Sequence, residues 1–409
     1  MKKRTLKYFL IFIILSAVMF SKQELELEKV VILSRHGLRS PLTAPGSRLS
    51  RITPYPWEEW DVKASYLTKK GAVLETYFGQ YINDWLLGNK IISSDKCLSE
   101  EEAIIYTNSL QRTITTGQAL VTGIFPGCNI KSQHKMEIGK MDPVFNPVIR
   151  SENKAFHETA LKSMDLKKEN QKLKNSYTLL SNIIGYDKSE ECLKEGKCIF
   201  FNEEGKLKVE NEKEPGVEGP IRLGTQAVDA LLLQYYEGYP LDRIAGNSID
   251  SMEKWKEINK IKDSYGELLF GSRTVAPHIS KPLLEYIFKD ITETGHKVTV
   301  LVGHDSNVVS VLSALNFKEY ELENQIEKTP IGGKIFFEIW KDGNTGEKKV
   351  KVEYVYQTVD QIRNGERLNK TNLPKHTVLE MKNCKIDREG YCPYSKFMSE
   401  LEKTIKSTE

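Results

Sequence analysis

Thirteen residues from Tyr8 to Phe20 form an almost unbroken apolar run, and three shorter apolar runs follow at wide intervals. Lys29–Val30–Val31–Ile32–Leu33, Ile104–Thr107 and Lys297–Val302 carry continuous rather than alternating apolar character, which predicts strands covered on both faces, as in a parallel sheet. Helical spacing recurs over Leu67, Gly71, Leu74, Tyr77, Phe78, Tyr81 and Trp85, and again over 115–121, 222–237, 276–290 and 308–315. Residues 152–175 are Lys/Glu-rich and read as helical, 185–220 are polar, and 42–64, rich in Pro and Trp, read as an irregular loop. Two alternating segments near the end, 334–340 and 350–355, are joined by Asp342-Gly343-Asn344 and predict further sheet strands. The pattern predicts an α/β fold whose core draws on 22–129 and 271–409. Residues 130–270 stand apart as an insertion or cap with a small core of its own.

Charge changes the reading of the first apolar run. Lys2, Lys3, Arg4 and Lys7 precede it, and the first acidic residue is Glu24. A basic stretch followed by a short apolar one has the form of a secretory signal peptide, set at 1–21 with the cleavage point undefined, and is too short for a stable membrane span. The whole chain holds 59 basic and 56 acidic residues. Without those four cations the balance is 55 against 56, about −1, which argues against nucleic acid as a partner. The expected compartment is the periplasm or outside the cell.

The six cysteines, Cys97, Cys128, Cys192, Cys198, Cys384 and Cys392, agree with export. Fifteen pairings exist. The two local ones, Cys192–Cys198 and Cys384–Cys392, are simplest and leave Cys97–Cys128 as the long bridge. Neither close pair has the spacing of a zinc site, so no metal is expected.

Each strand of continuous apolar character ends in a polar cluster: Arg35-His36-Gly37-Leu38-Arg39, Asn108 to Arg112, and His304-Asp305. Ligands of open α/β sheets bind beyond the carboxyl ends of strands. Three arginines there concentrate positive potential and offer forked donors to phosphate oxygens. Two arginines four residues apart with a histidine between them repel one another unless an anion intervenes. A neutral imidazole can attack phosphorus, arginines can hold the equatorial oxygens, and an aspartic acid held protonated by a buried, anion-bearing site can give the leaving oxygen its proton. The scheme calls for no cofactor. His304 and Asp305 also open a predicted helix, whose N-terminal N–H groups favour an anion.

Arg35-His36-Gly37-Leu38-Arg39-Ser40-Pro41 resembles the RHGxRxP signature of the histidine acid phosphatases, and Gly303-His304-Asp305-Ser306-Asn307 resembles their second motif. The likeness covers essentially the whole mature chain. It is nearer to the family's bacterial periplasmic glucose-1-phosphatases than to its acid phytases. It implies an α/β core with a mainly helical lid over the site. It further implies His36 as the nucleophile, Arg35, Arg39, Arg112 and His304 as phosphate ligands, and Asp305 as proton donor; the three simplest cysteine pairs agree with its bridges.

Four positions bear on specificity. Gly37 resembles the phytase choice, whereas Leu42 resembles that of the glucose-1-phosphatases and offers nothing to a highly phosphorylated ring. Glu214 and Glu218 would repel extra phosphates if either stands over the pocket. The expected function is therefore hydrolysis of a small phosphorylated substrate, a sugar monophosphate such as glucose 1-phosphate. A phytase is the alternative, and a non-catalytic sugar-phosphate binding protein is a weaker one. Tyr235, Tyr236 and Tyr239 are read as core, which leaves the oligomeric state open.

Overall fold

The computed structural model describes residues 25–42, 47–201 and 204–408; the expected signal segment 1–21 lies outside them. Ten strands occur there: β1 (Leu25–Arg35), β2 (Ala103–Thr107), β3 (Ser132–Gln133), β4 (Lys206–Lys208), β5 (Gly216–Glu218), β6 (Val298–Gly303), β7 (Lys334–Asp342), β8 (Lys348–Tyr356), β9 (Lys375–Val378) and β10 (Tyr391–Pro393). β4 and β5 form a separate antiparallel hairpin, and the rest make one sheet in the order β10-β8-β7-β1-β6-β2-β3, with β9 also on β8. β1, β6, β2 and β3 run parallel and form the sheet's core, while β7 to β10 extend it antiparallel.

The continuous apolar character of β1 has the expected cause. Val31 and Leu33 pack with the Ala276–Glu293, Asp305–Ala314 and Tyr394–Lys406 helices on one face. Val30 and Ile32 pack with the Lys69–Gly88 and Gln111–Ile124 helices on the other. A third apolar cluster gathers the Lys174–Ile183, Pro220–Glu237 and Met252–Phe270 helices, together with Leu38, Leu49, Ile52 and Leu74. Tyr236 is fully buried in it, and Tyr235 and Tyr239 pack against its edge.

Two long helices escaped the periodicity reading. The Met252–Phe270 helix buries Trp255, Ile258, Ile261, Leu268 and Leu269, but its apolar stripe is broken at Lys262–Gly266. That stretch lines a cavity instead of a core. The Tyr394–Lys406 helix buries only Phe397, Met398 and Leu401, a stripe too thin to stand out from its lysines and glutamates. The cysteines form Cys97–Cys128, Cys192–Cys198 and Cys384–Cys392. Among the described residues no helix is long and apolar enough to cross a membrane.

Candidate active site

Parallel pairing aligns the strand ends. Arg35 on β1 stands opposite Gly303 on β6, and Thr107 on β2 opposite Val302. The three polar clusters therefore emerge side by side. The His36 N–H donates to the Gly303 carbonyl at 3.0 Å, and the Asn108 N–H to the Val302 carbonyl at 2.9 Å. Arg39 is held by a bridge to Leu67, and Arg112 lies in the first turn of the Gln111–Ile124 helix. A cation at a helix N-terminus opposes the helix dipole, so Arg112 is placed for an anion and not for the helix.

His36, Arg39, Arg112, His304 and Asp305 line one cavity of about 680 Å³. Arg35 lies beneath it with no solvent exposure. Its Nη1 donates to Glu327 Oε1 at 3.0 Å and to the Thr329 carbonyl, and its Nη2 stands 3.5 Å from Asp305 Oδ2. Glu327 also pairs with Lys262, Lys262 Nζ lies 3.2 Å from Asp229 Oδ1, and Asp229 Oδ2 accepts from Arg39 Nη2 at 3.0 Å. Arg35, Glu327, Lys262, Asp229 and Arg39 thus alternate in sign along one chain of contacts. Burial opposes the charge on Arg35, but Glu327, Asp305 and Asp229 outweigh it and hold its pKa above the usual range. The buried Nε atoms of Arg35, Arg39 and Arg112 have no acceptor in the protein. Unmatched buried donors are costly, and an oxyanion would satisfy them.

The histidines are poised by different partners. His36 Nδ1–H donates to the Gly37 carbonyl at 2.9 Å, which leaves Nε2 as the free lone pair. Burial first, then Arg112, Arg39 and Arg35, pushes the His36 pKa well below its usual value, so the ring stays neutral in mild acid. For His304 the tautomer follows from Asn108. Asn108 Oδ1 accepts from the Ser109 and Asp142 N–H groups at 2.7 and 2.9 Å, so Nδ2 is the atom donating to His304 Nε2 at 2.7 Å. The ring proton then sits on Nδ1, 3.4 Å from Arg112 Nη2. Two donors at that distance share an acceptor rather than bond to each other. Asn108 thus orients His304, and Leu110 occupies the N-cap position of the Gln111–Ile124 helix.

Asp305 opens the Asp305–Ala314 helix, and its Oδ1 accepts the Ser306 N–H at 2.9 Å. Burial raises its pKa, but Arg35, Lys262 and His304 overcome that and hold it below the ordinary aspartate range. The expected acid role belongs to the anion-bearing site, where a bound phosphate would offset the arginine field.

The specificity candidates separate. Leu42, 60% exposed, and Glu214 line the cavity. The protein around the Glu214 carboxyl and the charge of Asp305 raise its pKa. Glu218 is not among the cavity residues and pairs with Lys208 on the β4–β5 hairpin. Gly37 faces away from the cavity: a Cβ there would meet Glu75 Cγ at 2.7 Å. Glu75 is buried and paired with Lys334 at 2.9 Å, so glycine at 37 accommodates that pair and gives the substrate no extra room. Sequence reasoning missed Asp229, Lys262 and Glu327, which come from helices and a loop far from either motif; Lys262, in the break in the 252–270 stripe, was the available signal. Among the described residues no group of three His, Cys, Asp or Glu side chains is set to hold a metal.

A strand-end histidine over buried arginines fits a phosphoryl-transfer class, and comparison with known proteins gives the family. The model of the histidine phosphatase superfamily, branch 2, matches residues 26–195 and 252–357. A glucose-1-phosphatase of Salmonella typhimurium is 43% identical over 375 residues, 91% of each chain. One from Providencia rettgeri is 41% identical over 418 residues, 98% of this chain and 100% of that protein. The structure of Hafnia alvei phytase in complex with tartrate superposes with a TM-score of 0.85 at 27% identity, covering 93% of this chain and 97% of that one. The chain belongs to branch 2 of the histidine phosphatase superfamily and is a phosphoric monoester hydrolase.

Proposed function

We propose that this phosphatase is an exported enzyme that hydrolyses a sugar monophosphate such as glucose 1-phosphate. His36 Nε2 attacks phosphorus and forms a phosphohistidine. Arg35, Arg39, Arg112 and His304 Nδ1–H hold the transferring oxygens, and Asp305 protonates the departing one. The observation that carries the reading is the set of buried arginine donors without acceptors around a neutral histidine with a free Nε2. A phosphate dianion would offset the field that keeps Asp305 ionised, so substrate arrival itself would raise its pKa into the range of an acid. The segment 130–270 acts as a lid, contributing Asp229 and Lys262 from helices and Glu214 from the loop before β5 to the cavity.

Glu214 over the cavity and apolar Leu42 at its edge support a singly phosphorylated substrate, as do the glucose-1-phosphatase relatives. The phytase reading is favoured by the close superposition on Hafnia alvei phytase. Comparing kcat/KM for glucose 1-phosphate and inositol hexakisphosphate decides between them. His36→Ala should lower turnover of glucose 1-phosphate by roughly 10⁴-fold or more. Labelled phosphate trapped at acid pH should reside on His36. Near-full activity in the variant, or label on another residue, would sink the mechanism.

A further inference from the structure

The buried pair Glu75–Lys334 has no part in the chemistry described so far, and neither residue lines the cavity. Glu75 comes from the Lys69–Gly88 helix. Lys334 opens β7 opposite Ser34, and the three residues after it, Ile335, Phe336 and Phe337, are fully buried. Lys334 Nζ donates to Glu75 Oε2 at 2.9 Å and to the Gly332 carbonyl at 2.7 Å, and it stands 3.9 Å from the centre of the Phe78 ring. Burial works against both charges, pulling the Lys334 pKa down and pushing that of Glu75 up. Apolar side chains of the same volume commonly serve stability as well as such a pair does. Stability alone therefore does not account for it.

What the pair touches is the backbone around His36. A Cβ on Gly37 would meet Glu75 Cγ at 2.7 Å, and one on Gly332 would meet Glu75 Oε1 at 2.5 Å, so the glutamate is packed against both glycines. Gly332, at φ +66°, turns the chain so that its N–H donates to the His36 carbonyl at 3.1 Å. Its neighbour Gly333 accepts the Arg35 N–H at 3.0 Å. The Gly37 N–H is held by Thr116 Oγ1 at 3.0 Å, and the Gly37 carbonyl accepts His36 Nδ1–H at 2.9 Å. The main chain of His36 and the acceptor of its ring proton are thus both backed by Glu75 and Lys334. We propose that Glu75 and Lys334 are positioning residues for the nucleophile, fixing the Gly332 turn and the Gly37 peptide and through them the aim of His36 Nε2 at phosphorus. This rests on the role given to His36 under the proposed function. The pair closes on itself and needs no ligand; it acts through the backbone of two glycines. A misplacement of about 1 Å between reacting atoms can cost on the order of 10²-fold in rate.

The test combines Glu75→Leu with Lys334→Met in the full-length chain. It measures kcat/KM for glucose 1-phosphate, competitive inhibition by inorganic phosphate, and thermal stability. The apolar pair should keep the melting temperature or raise it. kcat/KM should fall roughly tenfold to a hundredfold. The inhibition constant of phosphate should change less than about twofold, since the side chains of Arg35, Arg39 and His304 are held by Glu327, Asp229 and Asn108. Glu75→Gln, which keeps the shape and an acceptor for Lys334, should lower kcat/KM less than about threefold. Unchanged kcat/KM in the folded double variant, or an equal loss of turnover and of phosphate affinity, overturns the positioning role. A loss in Glu75→Gln as large as in the double variant also overturns it, because the effect would then lie in charge and not in shape. Activity retained in His36→Ala, assayed alongside, would instead overturn the nucleophile itself. If the melt shows that the double variant does not fold, Gly332→Ala displaces Glu75 from the other side and is judged by the same comparison.

Discussion

Two clusters of buried charge lie on the same sheet, and they resolve their charge in opposite ways. Beyond β1 and β6, Arg35, Arg39 and Lys262 interleave with Glu327 and Asp229, and guanidinium N–H groups remain without acceptors around a cavity. Across β7, β8 and β9, Glu338 and Glu353 share a buried face. Lys351 lies 2.9 Å from Glu353, His376 Nδ1 lies 3.0 Å from Glu353, and Tyr81 O–H meets His376 Nε2 at 2.6 Å. Trp340 Nε1 donates to Glu338 Oε2 at 2.8 Å. Burial and the Glu353 charge push Glu338 up to about 8, so its otherwise unpartnered Oε1 is the place for a proton facing Glu353. The second cluster balances itself with one proton and has no need of a ligand. The first balances only when an anion joins it. Buried charge therefore points to function where donors are left over beside a cavity, and to structure where the cluster closes on itself.

The sharpest way to break this contrast is Arg35→Met. It removes a proposed phosphate ligand and leaves Glu327 buried with Lys262. Activity should fall by roughly 10³-fold or more, and denaturant unfolding should show a loss of about 3 kcal/mol. Adding Glu327→Leu should recover most of the stability and none of the activity. Recovery of turnover would mean that Arg35 serves the fold alone.

Asp305→Asn should slow glucose 1-phosphate by roughly 10²–10³-fold, and a nitrophenyl phosphate far less, because nitrophenolate departs without a proton. Equal slowing would remove Asp305 from the acid role.

The low His36 pKa makes a pH prediction with a definite sign. A histidine whose pKa is depressed stays neutral as the solution is acidified. After allowance for the substrate's own ionisation, kcat/KM should not fall as pH drops from 7 to 5. A decline of about tenfold per pH unit starting near 6.5 would show an ordinary, protonatable nucleophile.

Glu338→Gln carries the smallest expected effect. The Glu338 pKa is raised in the folded state, so its contribution is full below the unfolded carboxylate value, near 4.5. It is lost as pH rises through about 8. Glutamine should flatten the decline of stability between pH 5 and 9 by about 1 kcal/mol and leave kcat unchanged. A change in kcat would tie the second cluster to catalysis.

The parallel strands, the helices after them and both strand-end motifs were legible because each is written locally. An apolar run covered on two faces has a period that can be read, and a strand end followed by Arg-His or His-Asp occupies adjacent positions. The Met252–Phe270 helix was harder, since one turn of it faces a cavity and carries Lys262 and Gly266 where a core stripe would be apolar. Glu214 and Glu218 were equivalent in the sequence. Only the β4–β5 hairpin separates them, turning Glu218 toward Lys208 and leaving Glu214 over the cavity.

What the sequence determined by itself is the set of local preferences: strand, loop and the polar cluster at each of three strand ends, each within a few residues. What only the tertiary structure decided is how charges from distant segments meet. Arg39 with Asp229, Arg35 with Glu327, and Gly37 with Glu75 are separated by long stretches of chain, and no periodicity links them. The protonation of His36 and Asp305 depends on those encounters, because burial and neighbouring charge set a pKa and both arise only when the chain is folded.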